Sequence, residues 1–561
     1  MICPFLKKNI LMNAIYCFLL LLLSPIIFAQ SNTDKHPHNL HLVELMDKSS
    51  SPFSLFLPQE YLSPRALERR NYQGVSIDIL DLPISIPYLK IIEKLAPVQG
   101  RSRWLNALAV HTESRKILKE IEALPFVKSV QPLGKFRKAK AGKLYSKRPE
   151  IDSSKHQANY YGLAETQIDM LGGKQLHQLG FTGKKIQVAV VDGGFRNAYR
   201  MAVFDSLFLE QRILGTRDFV DGDDFVYESS THGTNVLSIM AAKKPHLMIG
   251  TAPDAFYYLF KTEDVRGEFR AEEFYWILAL EYADSIGVDV VNSSMGYTRF
   301  RDESMSYQYE DLDGKSTLIS KGAMIASAKG ILIVNAAGND GHKDWHYLAA
   351  PADVAEVLTV AAVQRDSSRA SFSSWGPTSD GRMKPNIAAL GENTAYASMI
   401  TYDVGYGDGT SYACPVLTGM VASLKQAFPR TLNKTLKTAI FKSATQATQV
   451  DSSLGYGIPN FFHAYLSLVD SSVFINELGT VDHPQRIVDN SVHVYVETSQ
   501  KAPIELIVYN LFGKQLHYHK EELQANIINK VSLYNFQNYQ QGVYVLKIKT
   551  GGKTHWVELV H

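Results

Sequence analysis

The sequence predicts an α/β protein, with a mainly parallel sheet covered by helices on both faces, preceded by a small α/β unit and followed by a small β-sandwich. Three patterns lead there. Residues 160–468 alternate short apolar runs with helical periodicity, as strands buried on both faces require. Residues 41–133 mix the two periods on a smaller scale, and after residue 476 only strand patterns and turns recur. With 561 residues, 45% of them hydrophobic, the chain can fill several cores.

Charge and cysteine usage exclude some functions. A net charge of +2 is not the basic excess of a nucleic-acid binder. Cys3 and Cys17 lie at the extreme N-terminus, so its removal leaves Cys414 alone, with no intramolecular disulfide and no zinc-type cysteine cluster.

In chain order, Lys7 and Lys8 precede an apolar run ending in Ile27-Phe28-Ala29, which reads as a signal peptide over residues 1–29 cleaved after Ala29. The rival, an uncleaved anchor, has against it a short run that contains Pro25. Within residues 30–133 the patterns predict strands at 41–46, 105–111 and 127–130 and helices at 63–70, 86–95 and 114–124. No catalytic cluster occurs there. Residues 134–159 are a linker in which Lys135, Arg137, Lys138, Lys140, Lys143, Lys147 and Arg148 meet no acidic residue before Glu150. Such a run is too polar to pack, and an exposed tether of this kind suits a processing site.

The block from 160 to 468 carries the candidate chemistry. A strand at 185–191 ends in Asp192-Gly193-Gly194, and open α/β sheets hold their sites at the carboxyl ends of strands. His232, in Thr231-His232-Gly233-Thr234-Asn235, opens a helical pattern, a rigid place for a general base; Gly233 lets another element approach closely. A strand at 288–292 runs into Ser294-Met295-Gly296. Another at 331–335 runs into Ala337-Gly338-Asn339, where a carboxamide could bind a developing oxyanion. Gly407-Asp408-Gly409-Thr410-Ser411 delivers a serine to a helix predicted over 416–425, with Pro415 in its first turn. Each motif alone is also an ordinary turn or cap. A serine becomes a useful nucleophile only with a base, a carboxylate to orient the base, and oxyanion donors.

As an ordered set, Val188 to Gly194, His232-Gly233-Thr234, Ala337-Gly338-Asn339 and Gly409-Thr410-Ser411 through Pro415 resemble the subtilase family of serine peptidases. Phe372 to Pro377 and Lys384 to Gly391 add to the resemblance. It implies a subtilisin-like fold and a secreted endopeptidase acting on polypeptides. Ser411 would be nucleophile, His232 general base, Asp192 the orienting carboxylate and Asn339 the oxyanion donor; Ser294, Met295 and Gly296 would pair with the substrate backbone. It also implies that residues 30–133 are an inhibitory propeptide, released near the basic linker. Gly193, where Ser or Thr is frequent, and Cys414, where Ser or Ala is usual, depart from the pattern without removing a catalytic group. Cys414 reads as small helix packing.

The chemistry requires no cofactor or metal. A structural calcium is weighed at Asp311-Leu312-Asp313-Gly314, inside a segment from Arg299 to Lys315 that reads as an inserted loop. Residues 476–561 resemble the C-terminal sorting domain of type IX secretion through Val508 to Lys514 and Gly542 to Ile548. That makes the secretion machinery a partner, alongside the chain's own propeptide, and predicts secretion or display at the cell surface. Two function classes follow: a secreted endopeptidase, or a surface-binding protein on an inactive peptidase scaffold.

Overall fold

The computed structural model describes residues 38–49, 51–135, 159–399, 402–469, 472–476, 479–480, 485–486 and 490–561. The expected signal peptide, and the linker beyond Lys135 up to residue 158, lie outside the described residues. Among the described residues no helix is long and apolar enough to cross a membrane.

The N-terminal unit is a four-stranded antiparallel sheet with two of its helices packed on one face. Its elements are β1 (Leu40–Leu45), α1 (Pro64–Gln73), α2 (Ile86–Leu95), β2 (Val98–Ser102), β3 (Ala107–His111), α3 (Arg115–Glu122) and β4 (Val127–Gly134), in the sheet order β2-β3-β1-β4. Alternation along β1 divides its side chains: Val43 and Leu45 pack with Leu89, Ile92 and Ile121 of the unit's own helices. Leu40 and Leu42 face the next domain and meet Phe274 and Tyr275. Strand β2 is invisible to sequence patterning because Val-Gln-Gly-Arg-Ser offers almost no apolar alternation.

The central domain is built on a seven-stranded, all-parallel sheet. Its strands are β5 (Gln187–Asp192), β6 (Ile213–Asp218), β7 (Phe256–Lys261), β8 (Val290–Ser293), β9 (Leu332–Ala336), β10 (Leu358–Val363) and β11 (Ile387–Leu390). Their order across the sheet is β11-β10-β9-β8-β5-β7-β6. Both faces are covered, as the continuous apolar runs predict. In β5, Val188 and Val190 join the core beneath α4 (His232–Ala241) and α7 (Thr410–Ala427). Ala189 and Val191 join the opposite core beneath α5 (Arg270–Ile286) and α6 (Leu318–Ala328). Helix α7 starts at Thr410, earlier than predicted, so Pro415 lies inside it.

The N-terminal unit is held on α5 by charge as well as apolar contact. Fully buried Asp284 accepts from Arg69 at 2.5 Å, Arg70 at 2.6 Å and Arg103 at 2.8 Å. Glu281, on the same helix, accepts from the Ser102 hydroxyl and from Arg103 N at 2.9 Å.

The C-terminal region is a β-sandwich with strands β12 (Val492–Glu497), β13 (Ala502–Asn510), β14 (Gln515–Leu523), β15 (Ile528–Leu533), β16 (Val543–Thr550) and β17 (Lys553–Val560). Val494 and Val496 from one sheet meet Leu506, Val508, Leu546 and Ile548 from the other. Strand β14 is an edge strand paired only to β13, and its sequence Gln-Leu-His-Tyr-His-Lys-Glu-Glu-Leu is correspondingly polar. The sandwich touches the central domain where Tyr465 and Tyr495 share a 2.8 Å hydroxyl hydrogen bond.

Candidate active site

Strands β5, β8 and β9 are neighbours, and the segments after their carboxyl ends meet the N-termini of α4 and α7. Asp192, the last residue of β5, is fully buried, and its Oδ1 accepts Gly193 N at 2.7 Å. His232 is the first residue of α4 and sits over it because position 233 lacks a side chain. A Cβ there would stand 2.5 Å from Gly194 O and 3.0 Å from Asp192 Cβ. His232 Nδ1 is 2.9 Å and 3.0 Å from the two Asp192 oxygens. Burial pushes the imidazole pKa down, but the charge and hydrogen bond of Asp192, with Glu263, outweigh it and hold the ring above the ordinary histidine value.

Ser411 is the second residue of α7. The turn before it needs glycine: Gly409 has φ +153°, and a Cβ there would lie 2.9 Å from Ser411 Oγ. Ser411 Oγ is not hydrogen-bonded to His232, but both line the same cleft of about 580 Å³. Asn339 sits in the turn beyond β9. Its Oδ1 accepts Thr410 N at 2.9 Å and Thr410 Oγ1 at 3.0 Å, which fixes the amide and leaves Nδ2 as its free donor.

The remaining predicted residues reach the cleft by different atoms. Ser294 is buried, and its hydroxyl donates to Ser411 O at 3.0 Å. Met295 O accepts Asn335 Nδ2 at 3.0 Å, and Gly296 is exposed, with a Cβ position only 2.7 Å from Ala349 Cβ. All seven predicted site residues therefore line one cleft. Cys414 lies behind it, fully buried, its thiol pushed up to about 12 by burial and donating to Asn292 Oδ1 and Val334 O at 3.4 Å each. It packs the core, as its small size suggested.

Asp311 and Asp313 serve their own turns. Asp311 accepts Gln308 N at 2.8 Å, and Asp313 accepts Lys315 N at 2.9 Å and Ser316 N at 2.7 Å. Among the described residues neither belongs to a group of three or more His, Cys, Asp or Glu side chains placed to share an ion. A different acidic group goes unannounced in the sequence. Glu263, Glu268 and Glu272 bring carboxylate oxygens within 4.8 Å of one another on the cleft wall. Glu263 and Glu272 follow a strand end and open a helix, and neither spacing marks a cluster in advance.

The Subtilase family model matches residues 183–457. The chain carries a subtilase-family domain. Flanking this subtilase domain, residues 40–147 match the peptidase S8 propeptide domain of Bacteroidota and residues 488–560 match the secretion system C-terminal sorting domain. Among curated proteins the chain is 28% identical to subtilisin E of Bacillus subtilis over 371 residues, 65% of this chain and 82% of the relative. It is 27% identical over 333 residues to a thermostable alkaline protease of Halalkalibacterium halodurans, 59% of this chain and 80% of that one. It is 29% identical over 294 residues to a subtilisin of Bacillus pumilus, 52% of this chain and 94% of that one.

Proposed function

We propose that this chain is a secreted serine endopeptidase that hydrolyses peptide bonds through an acyl-enzyme. The observation that carries the reading is the buried Asp192 carboxylate against His232 Nδ1, in the same cleft as Ser411. That contact assigns the Nδ1–H tautomer, leaving Nε2 bare to accept a proton, and it stabilises the imidazolium that results.

In this reading Ser411 Oγ attacks the scissile carbonyl carbon while its proton passes to Nε2. The carbonyl oxygen, now an anion, is met by Asn339 Nδ2 and by the Ser411 N–H, which has no intrahelical acceptor at the second position of α7. Collapse expels the amine, which takes the proton from His232. A water deprotonated by the same ring then releases the acyl group and restores Ser411. The backbone from Ser294 to Gly296 is where an extended substrate would pair.

The flanking units fit the same reading. The N-terminal signal peptide directs export across the inner membrane, the propeptide domain restrains the subtilase domain until cleavage near the basic linker, and the sorting domain directs passage to the surface or medium. Mass spectrometry after treatment with a fluorophosphonate tests the assignment. A single phosphonyl adduct on Ser411, lost in Asp192→Asn and His232→Ala, is the expected result. An unlabelled Ser411 in folded, processed protein would favour the inactive scaffold.

A further inference from the structure

The residue that follows Ser411 is a tyrosine, and its ring stands against His232. The ring centroids of Tyr412 and His232 are 6.1 Å apart with planes 23° from parallel, an offset stack. Tyr412 also stacks on Tyr396, at 5.2 Å and 16°, so it joins the imidazole to a third ring. Tyr396 lies on an antiparallel pair of strands, Thr394–Ser398 and Asp403–Gly407. Gly407 ends that pair, and a Cβ there would be 2.7 Å from ring atoms of both Tyr396 and Tyr412. The first glycine of Gly407-Asp408-Gly409 thus leaves room for the two rings, as the second does for the serine hydroxyl.

The ring is anchored as well as stacked. Asn235, one turn on from His232 along α4, is 3.3 Å from the Tyr412 hydroxyl. With its amide oriented so that the nitrogen donates to Thr231 O at 3.2 Å and Ala397 O at 3.3 Å, its oxygen accepts that hydroxyl. Burial lifts the Tyr412 phenol above its ordinary value, so it stays a neutral donor. Ser238, a further turn along α4, accepts Ala397 N at 2.8 Å. The helix that presents His232 therefore also fixes the ring that backs it. The charges that bear on the imidazole, Asp192 at the end of β5 and Glu263 beyond β7, come from the strands, and the aromatic face comes from α7.

We infer that Tyr412 is a positioning residue of the reaction: its ring steadies the His232 imidazole and favours the protonated form that follows proton transfer from Ser411. This rests on the peptidase reading above and deepens it by giving a part in the proton-transfer step to a residue outside the four predicted catalytic ones. An aromatic face attracts an imidazolium more than the neutral ring it forms from, so the contact strengthens as His232 takes the serine proton. A flat ring against the imidazole also limits its rotation.

The test follows kcat and KM of the mature protein on one peptide amide across pH, for wild type, Y412L and Y412F, with folding checked by Tm. Y412L keeps an apolar side chain beside His232 but removes the aromatic face. It should lower kcat about three- to thirtyfold with KM nearly constant, the span of a cation held over an aromatic ring. Because leucine no longer favours the imidazolium, the acid limb of kcat/KM should move to lower pH by about half a unit to one unit. Y412F keeps the ring and loses only the anchor to Asn235, and should recover most of both losses. Should Y412L not fold, Y412M carries the same expectations. A folded Y412L or Y412M protein with the wild-type kcat, or one whose acid limb stays in place or moves to higher pH, overturns the inference and leaves the peptidase reading intact. A folded wild type that hydrolyses no peptide overturns both.

Discussion

Ser294 Oγ donates a 3.0 Å hydrogen bond to the backbone carbonyl of Ser411. In an uninterrupted helix that carbonyl would accept the N–H of residue 415, but residue 415 is proline and has none. The donor is itself held by Asn292 Nδ2 at 3.2 Å, so a buried chain of polar groups runs from β8 into the first turn of α7. Ser294→Ala removes the replacement donor and leaves a carbonyl unsatisfied behind the proposed nucleophile, at a cost of about 1–3 kcal/mol. Thermal unfolding should register this as a lower Tm, and steady-state kinetics as a loss in kcat larger than any change in KM.

Asn339 has its carbonyl oxygen spent on Thr410, which turns its amide N–H₂ to other use. If that use is the oxyanion, Asn339→Ala should lower kcat about 10²- to 10³-fold with KM nearly constant, a magnitude measured in subtilisin and carried over to this chain by analogy. A change confined to KM would assign Asn339 to ground-state binding instead.

The pH dependence follows from the His232–Asp192 contact. The folded-state pKa of His232 is raised above 6.5, so the acid limb of kcat/KM should lie above that value. The stability linkage has the sign of a raised base: the contribution is fully present below 6.5 and is lost as pH rises through the folded pKa. The Tm difference between wild type and Asp192→Asn should therefore shrink as pH is raised from about 6 to about 9. A difference that grows over this range would contradict the assignment of charge to the ring.

Asp284 receives Arg69, Arg70 and Arg103 of the N-terminal unit in a site closed to solvent. Asp284→Ala leaves three buried guanidinium groups without their shared partner and should destabilise the unprocessed chain by about 3–5 kcal/mol. Calorimetry on a Ser411→Ala background, where self-processing is removed, would measure it. The mature protein without the N-terminal unit should lose far less.

The sequence made the strand ends legible because parallel strands buried on both faces are written as continuous apolar runs, so Asp192 and Asn339 could be placed beyond them. His232 and Ser411 were legible through glycines at 233 and 409, whose absent side chains make room for Asp192 and for the serine hydroxyl. Pro415 is misleading: its usual place in a first helical turn puts the start of α7 too late, whereas Ser294 supplies the donor that lets the helix begin at Thr410. The carboxylates of Glu263, Glu268 and Glu272 come together only because the end of β7 folds back on the start of α5, a tertiary event that no local pattern announces. The Asp284 arginine cluster is hidden for the same reason, since its partners lie about two hundred residues away in sequence.

The most direct measurement is the turnover of an unfolded protein substrate by purified Ser411→Ala beside wild type at equal concentration. With the N-terminal unit removed from both proteins, the expected result is a fall in kcat of about 10⁴- to 10⁶-fold with the Tm unchanged, because the substitution removes one hydroxyl from an open cleft. Turnover by the folded variant at the wild-type rate would contradict it.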